Sequence, residues 1–228
     1  MDRAKWDRWA PGAGILGVAL IIVTFFLPAK SPPAIDDPAA TVAAFFTDNR
    51  SALLTSAFLS GLALIALTWF FASLVYALWN AGEVRLSIVV LAGAVMLGAM
   101  ATLATALQAL LAYDLAAKMD AEIVRGLWLL IFAPFAFGWG LAIIALATGV
   151  AAMRSAMLPA WYSWLSILAG LWFVVSGLAY ADSGFFSPTG GWGFIGFLAF
   201  LAWVLLTSGL LLRRATPSEA PMAAPASM

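Results

Sequence analysis

The chain has 228 residues, of which 64% are hydrophobic and 10% charged, with equal numbers of basic and acidic side chains. Because a soluble domain has about 25% charged residues, this composition excludes a water-soluble globule and predicts an integral membrane protein. No basic run is present that could neutralise nucleic-acid phosphates, so we expect no nucleic-acid partner. Cys and His are both absent, which removes thiol nucleophiles, Cys/His zinc sites and imidazole proton shuttles. We therefore expect no cofactor and no metal site.

Six stretches without ionisable side chains occupy most of the chain, at about residues 12–28, 51–79, 86–112, 126–153, 160–181 and 191–212. Each is long enough for the roughly 17–25 helical residues that cross a hydrocarbon core. They lack the two-residue alternation of barrel strands. The sequence therefore predicts an all-α, polytopic six-transmembrane-helix bundle over residues 12–212. We interpret residues 1–11 as a cytoplasmic N-terminal segment and residues 213–228, with their Ala, Pro and Ser, as a disordered cytoplasmic tail.

The distribution of Lys and Arg sets the predicted orientation. Seven of these residues lie on the side of the two termini and four on the other side (Arg3, Lys5, Arg8, Arg85, Arg154, Arg213 and Arg214 against Lys30, Arg50, Lys118 and Arg125). The positive-inside rule then places both termini in the cytoplasm. Trp6 and Trp9 are expected at the inner membrane interface, where an indole has its ring in lipid and its N–H in water.

The first outer loop contains a short predicted helix at residues 38–46. Asp37 is expected to cap its N-terminus, and Pro38 suits a first helical position. Val42, Phe45 and Phe46 share one helical face through their three- and four-residue spacing. We interpret this segment as an amphipathic helix that lies on the outer membrane surface.

One polar stripe runs along the third predicted span. Gly98, Thr102, Thr105 and Gln108 follow one another at steps of four, three and three residues, which places them along one helix face. Interhelical hydrogen bonding, worth roughly 0.6 kcal/mol per contact, is one interpretation. A polar lining for a narrow solute path is the other.

Four tryptophans, Trp69, Trp139, Trp172 and Trp203, fall near the middle of spans two, four, five and six. They fill gaps between helices in one interpretation and line a pocket for an apolar ligand in the other. Pro134 lies inside the fourth predicted span, where it removes a backbone donor and is expected to kink the helix.

Small residues recur at a spacing of four along several spans, at Ala57/Gly61, Ala94/Gly98, Ala136/Gly140, Ala145/Gly149, Ser166/Gly170 and Gly177/Ala181. Two stretches, starting at Gly12 and Gly191, also match a dinucleotide-binding pattern. Neither follows a strand, which is the context that gives that pattern its meaning. We interpret all of these small residues as sites where helices approach closely.

The absence of charge within the spans argues against ion-coupled transport, and the absence of a buried His or Lys base argues against nucleophilic catalysis. Asp114 and Asp182 lie at outer helix ends, where we expect solvated carboxylates and not a paired cation site. The sequence therefore predicts a protein that is not an enzyme.

The connection Leu158-Pro-Ala-Trp-Tyr-Ser-Trp-Leu165, together with Asp37-Pro38, Trp6 to Trp9 and Arg213-Arg214, resembles uncharacterised multi-span membrane proteins common in actinobacteria. The resemblance implies a fold of six or a similar number of spans, and it transfers no functional residue.

We therefore expect a multi-pass protein of a bacterial cytoplasmic membrane. Its predicted role is an accessory or assembly subunit of a membrane complex, or a homo-oligomer, with membrane lipids and either a protein partner or a second copy as partners. A carrier or binding protein for an apolar small molecule or lipid is the alternative. Candidate residues for ligand contact or packing are Trp69, Thr102, Thr105, Gln108, Pro134, Trp139, Trp172 and Trp203.

Overall fold

The computed structural model describes residues 9–131, 134–177, 181, 183–187 and 189–215, and for residues 134–137 and 215 it describes the backbone alone. The features predicted before Trp9, at Asp182 and in the tail from residue 216 lie outside the described residues. Within the described residues the chain forms helices and no strand, so the all-α prediction is confirmed there.

The helices follow one another along the chain. In chain order they are α1 (Ala13–Phe25, preceded by a 3-10 turn at Ala10–Gly12), α2 (Ala39–Asp48), α3 (Arg50–Asn80), α4 (Val84–Leu110), α5 (Ala121–Ile131), α6 (Pro134–Ser155), α7 (Ala160–Ser176) and α8 (Gly191–Ala215). A π-helical segment, Leu111–Leu115, and a last α-helical segment, Ala116–Lys118, continue α4. The third predicted span is therefore part of a longer helix.

Four of these helices are long and apolar enough to cross a membrane, which indicates a membrane location. They are α3, α4 with its continuation, Gly138–Ser155 of α6, and Gly191–Arg214 of α8. Ala10–Phe25 and α7 are apolar but shorter. The first leaves helical geometry after Phe25, before the predicted end at Pro28, and the second ends at Ser176 with Gly177 as its C-cap.

The structure differs from the sequence at the fourth predicted span. Where one helix was predicted over residues 126–153, the structure has α5 and α6, with residues 132–133 between them outside the described residues. Pro134 is the first residue of α6 and not an interior kink. Proline has no N–H to donate, so it suits this position. Since α5 packs against α2 and α4, it belongs to a different part of the fold.

The longer helices form a ring in chain order, in which α8 closes on α1. Neighbours run antiparallel. Two contacts for each pair show this direction. Helices α1 and α3 meet at Gly14 with Phe70 and Gly17 with Leu67, helices α4 and α6 at Gly93 with Ile143 and Gly140 with Leu97, and helices α6 and α7 at Gly149 with Ile167 and Gly170 with Leu146. Helices α7 and α8 meet at Tyr162 with Thr207 and Trp172 with Trp192, and helices α8 and α1 at Gly12 with Leu212 and Phe25 with Phe197. The core of the ring is apolar and includes Phe70, Leu74, Ile144 and Trp203.

Small residues lie at several of these contacts, because the absence of a large side chain lets two backbones approach. The predicted close approach is confirmed at Gly14, Gly140, Gly149 and Gly170. It is wrong for contacts within the described chain at Gly61 and Gly98, since no atom lies within 4 Å of the position that a Cβ would take there.

A second hydrophobic cluster, which we call the cap cluster, lies at one end of the ring. It consists of Val42, Phe45, Phe46, Leu53, Leu111, Ala112, Ala116, Val124, Trp128 and Ile131. The Phe46 and Trp128 rings meet edge to face with centroids 5.5 Å apart. The apolar face of α2 therefore packs on protein, and the prediction that it rests on a membrane surface is wrong for this face.

The start of α2 also differs from the prediction. Pro38 occupies the N-cap position without a side-chain hydrogen bond, and Oδ2 of Asp37 accepts the N–H of Ala34 at 2.8 Å. Asn49 separates α2 from α3. Its buried amide donates to the Phe45 carbonyl at 2.9 Å and accepts the N–H of Ala29 at 3.2 Å, so one side chain connects the loop to the end of α2.

Candidate functional site

Charged groups of the described chain pair with each other near the helix ends. Lys30 Nζ lies 2.9 Å from Asp48 Oδ2, and Arg154 Nε lies 3.2 Å from Glu83 Oε1. Asp114, one of the two carboxylates considered above, pairs with Lys118 one turn later. In the part of the chain that the structure describes, no three His, Cys, Asp or Glu side chains are grouped as metal ligands.

A cleft of about 340 Å³ lies beside α2, between that helix and the loop at residues 30–33. Lys30, Asp37, Thr41 and Asp48 line it together with Pro and Phe side chains. The lysine and both carboxylates already have partners, in the ion pair and in the Asp37 turn. The cleft therefore offers mainly the Ser31 and Thr41 hydroxyls and an apolar wall to a ligand.

The polar stripe of α4, which we call the α4 edge (Gly98, Thr102, Thr105 and Gln108), is exposed at Thr102 and partly buried at its other three residues. Thr102 donates to the Gly98 carbonyl and Thr105 to the Ala101 carbonyl, each at 2.8 Å. Both hydroxyls are thus satisfied within their own helix. Gln108 is half-buried, and no hydrogen bond connects its amide to another described residue.

Burial distinguishes α4 from the other helices of span length. In its most apolar segment 22% of the residues are buried, against 33% in α3, 44% in α8 and 56% in α6. The helix with the longest polar stripe is thus the one that the rest of the chain covers least.

Trp203 belongs to a buried hydrogen-bond network that joins α6, α7 and α8. Its Nε1 donates to Ser166 Oγ at 2.9 Å, and Ser166 Oγ donates to the Ala145 carbonyl at 2.7 Å. Thr207 Oγ1 donates to the Trp203 carbonyl at 2.7 Å and lies 2.6 Å from the hydroxyl of buried Tyr162. The Trp203 side chain is 2% exposed. Its indole therefore has a structural partner and is not an accessible ligand contact.

Tyr162 and Thr207 were not among the residues predicted from the sequence. The signal was available in their spacing, because Tyr162 with Ser166 and Trp203 with Thr207 are each four residues apart and share a helix face. Three further hydroxyls nearby in sequence, on Thr148, Ser163 and Ser208, are buried without a hydrogen-bond partner among the described residues.

The other mid-span tryptophans lie apart from Trp203. The Trp172 ring stacks on Trp192 with centroids 3.9 Å apart. Trp139 is 42% exposed and lies against Gly177, and Trp69 is 49% exposed on the outer face of α3. The structure does not bring the four indoles around one pocket, and the Pro134 side chain lies outside the described ones.

A second cavity, an apolar groove of about 500 Å³, lies between α1 and α3. Trp69 lines it, and it is the one predicted site residue that lines either of the two cavities. The chain matches no protein-family model and no curated protein or solved structure with significance.

Proposed function

We propose that the chain is a non-enzymatic, six-span integral membrane protein that acts within the membrane as an accessory or assembly subunit of a complex, or as a homo-oligomer. The α4 edge is its association surface. The observation behind this proposal is the combination at one place of low burial, an open glycine and an amide without a described hydrogen-bond partner.

Helix packing in lipid explains why such a surface favours a partner. Lipid tails are as apolar as Leu, so transmembrane helices associate through van der Waals packing and interhelical hydrogen bonds. Gly98 allows a neighbouring backbone to approach. A second helix there could also accept or donate a hydrogen bond to Gln108, whose amide is costly to leave unsatisfied in hydrocarbon.

The six-span topology is supported by the contacts of the two shorter helices. The 3-10 turn and α1 meet α8 from Gly12 with Leu212 to Phe25 with Phe197. Helix α7 meets α8 from Tyr162 with Thr207 to Trp172 with Trp192. Each short helix thus runs beside most of a helix of span length. We propose that both cross the membrane, with cytoplasmic termini and the cap cluster on the outer side of a bacterial cytoplasmic membrane.

Cysteine crosslinking tests the proposal directly, because the chain has no cysteine of its own. Gly98→Cys and Thr102→Cys should each give an oxidative crosslink in native membranes, to a second copy or to one other membrane protein. Gly61→Cys is the matched control, since Gly61 also has open space on its helix.

Leucine variants test the same surface without a crosslink. Gly98→Leu should weaken association by roughly tenfold, which is about 1.4 kcal/mol, while Gly61→Leu should have no effect. Both should fold because no atom of another helix lies within 4 Å of either Cβ position. Equal crosslinking at residues 61 and 98, or unchanged association of Gly98→Leu in sedimentation, would contradict the proposal.

The alternative function, binding of an apolar molecule or lipid, is favoured by one observation, the apolar groove between α1 and α3.

A further inference from the structure

Three hydroxyl groups inside the bundle have no hydrogen-bond partner among the described residues. They belong to Thr148 on α6, Ser163 on α7 and Ser208 on α8, and all three residues are fully buried. A hydroxyl that loses water without gaining a hydrogen bond costs free energy, so buried hydroxyls in folded proteins usually have a partner. Of the three, Ser208 has its oxygen among the nearest neighbours of a glycine.

The Ser208 hydroxyl faces the backbone of α1. Its Oγ lies so close to the position that a Cβ of Gly14 would take that no side chain fits there. Glycine has a hydrogen atom in that direction, so a Cα–H of Gly14 is directed at the oxygen. Cα–H groups donate weak hydrogen bonds to oxygen atoms where two helices approach closely. The Ser208 oxygen therefore faces a carbon-bound donor.

Gly14 lies where three helices meet. Phe70 of α3 also packs on it, because a Cβ at residue 14 would come within 2.7 Å of that ring. The Phe70 ring meets Trp203 of α8 edge to face, with centroids 6.3 Å apart. Helix α8 thus reaches α1 through Ser208 and α3 through Trp203, and both contacts converge on the same glycine.

Ser208 directly follows Thr207, which is bound to the other neighbour of α8. The Thr207 hydroxyl lies 2.6 Å from the hydroxyl of Tyr162 on α7. Two consecutive hydroxyls of α8 are therefore directed at its two flanking helices. One turn away from Ser208 along α8 are Val204 and Leu212, whose side chains are too large for the space that Ser208 fills. A shift of α8 by one turn would thus disrupt both contacts.

We propose that Ser208 Oγ accepts a Cα–H···O hydrogen bond from Gly14, and that this bond and the bond between Thr207 and Tyr162 together fix the axial position of α8 in the closed ring. A hydrocarbon environment favours such a bond, because no water is present there to compete for the hydroxyl. The inference concerns the closure of the ring and does not depend on association through α4.

The sign of a stability change tests the proposal. Removal of a hydroxyl without a partner should stabilise the bundle, since its desolvation cost disappears. Removal of a hydroxyl that accepts a bond should do the opposite, so Ser208→Ala should unfold at a lower dodecyl sulfate content in mixed micelles. Thr148→Val is the matched control and should unfold at the same or a higher content. A midpoint of Ser208→Ala equal to or above that of the unchanged chain would overturn the proposal.

Proton magnetic resonance separates the bond from a simple loss of packing. A Cα–H that donates to oxygen resonates downfield, so Ser208→Ala should move one Hα resonance of Gly14 upfield. The sample is the full chain in detergent micelles with isotope-labelled glycine, and Thr148→Val should leave this resonance in place. An equal Hα shift of Gly14 in Ser208→Ala and in the unchanged chain would overturn the proposal, whatever the unfolding curves show.

Discussion

Removal of the Ser166 hydroxyl should destabilise the bundle, because the indole N–H of Trp203 then has no hydrogen-bond acceptor. Ser166→Ala deletes the acceptor of Trp203 Nε1, and the Trp203 side chain is only 2% exposed. A buried donor without an acceptor costs about 1–3 kcal/mol. The Ala145 carbonyl also loses its bond from Ser166, but as a main-chain acceptor within α6 it keeps its helical partner.

A double-mutant cycle isolates this effect. In a Trp203→Phe background no indole N–H is left unpaired, so Ser166→Ala should then cost no more than its own bond to Ala145, about 0.6 kcal/mol by the average for interhelical hydrogen bonds in membranes. Trp203→Phe also removes ring volume from the core, but that cost is present in both arms and cancels.

The assay is reversible unfolding in mixed micelles with increasing dodecyl sulfate, followed by far-ultraviolet circular dichroism. Ser73→Ala is the matched control, because the Ser73 hydroxyl bonds only to the Trp69 carbonyl of its own helix at 2.8 Å. Its unfolding curve should be nearly unchanged. Equal costs of Ser166→Ala in the unchanged chain and in the Trp203→Phe variant would refute the reasoning, since the indole would then not depend on Ser166.

Two further substitutions test the packing of the ring and of the cap cluster. Gly149→Ala should destabilise the bundle by about 1–3 kcal/mol, because the new Cβ would lie 2.7 Å from the Ile167 side chain. Gly209→Ala is the control and should not destabilise the bundle, since a Cβ there lies in open space. Equal unfolding curves of the two variants would contradict this prediction. Phe46→Ala should lower the local stability of the cap cluster by about 3–5 kcal/mol and expose α2 to limited proteolysis, since Phe46 is fully buried. Phe58→Ala should leave the cleavage pattern unchanged. Protection of α2 in both variants would argue against the cap cluster.

The helices themselves could be predicted because their signal is local. Charge-free stretches over residues 51–79 and 86–112 correspond closely to α3 and the main part of α4. The face shared by Val42, Phe45 and Phe46 followed from spacing alone. Lipid forces the backbone to satisfy its own hydrogen bonds, so composition and length determine most of the secondary structure.

What covers each helix could not be predicted in this way. Ala57/Gly61 and Ala145/Gly149 have the same spacing, yet a Cβ at Gly149 would meet Ile167 and one at Gly61 would meet nothing. The difference depends on which helices become neighbours, and the spacing of residues within one helix does not indicate its neighbours. The prediction for the apolar face of α2 was wrong for the same reason, since Trp128, from a distant part of the chain, covers this face.

The hydrogen-bond network of Trp203 joins residues that are even further apart in the sequence. Ser166 and Trp203 are 37 residues apart, and Tyr162 and Thr207 are 45 apart. A shift of α8 along α7 by one turn would separate both pairs. The sequence identifies which side chains can form such bonds but not the axial alignment that brings them together.

The closure of the ring by α8 on α1 has a consequence for biogenesis. Helices of a membrane bundle form first and pack afterwards, and α1 can pair with α3 as soon as both have been made. Its other neighbour is made only after every other helix described here. Until Leu212 reaches Gly12 and Phe197 reaches Phe25, one flank of α1 and the α7 surface around Ser166 are not yet covered by α8. The nascent bundle is therefore an incomplete ring, and the packing of α8 closes it.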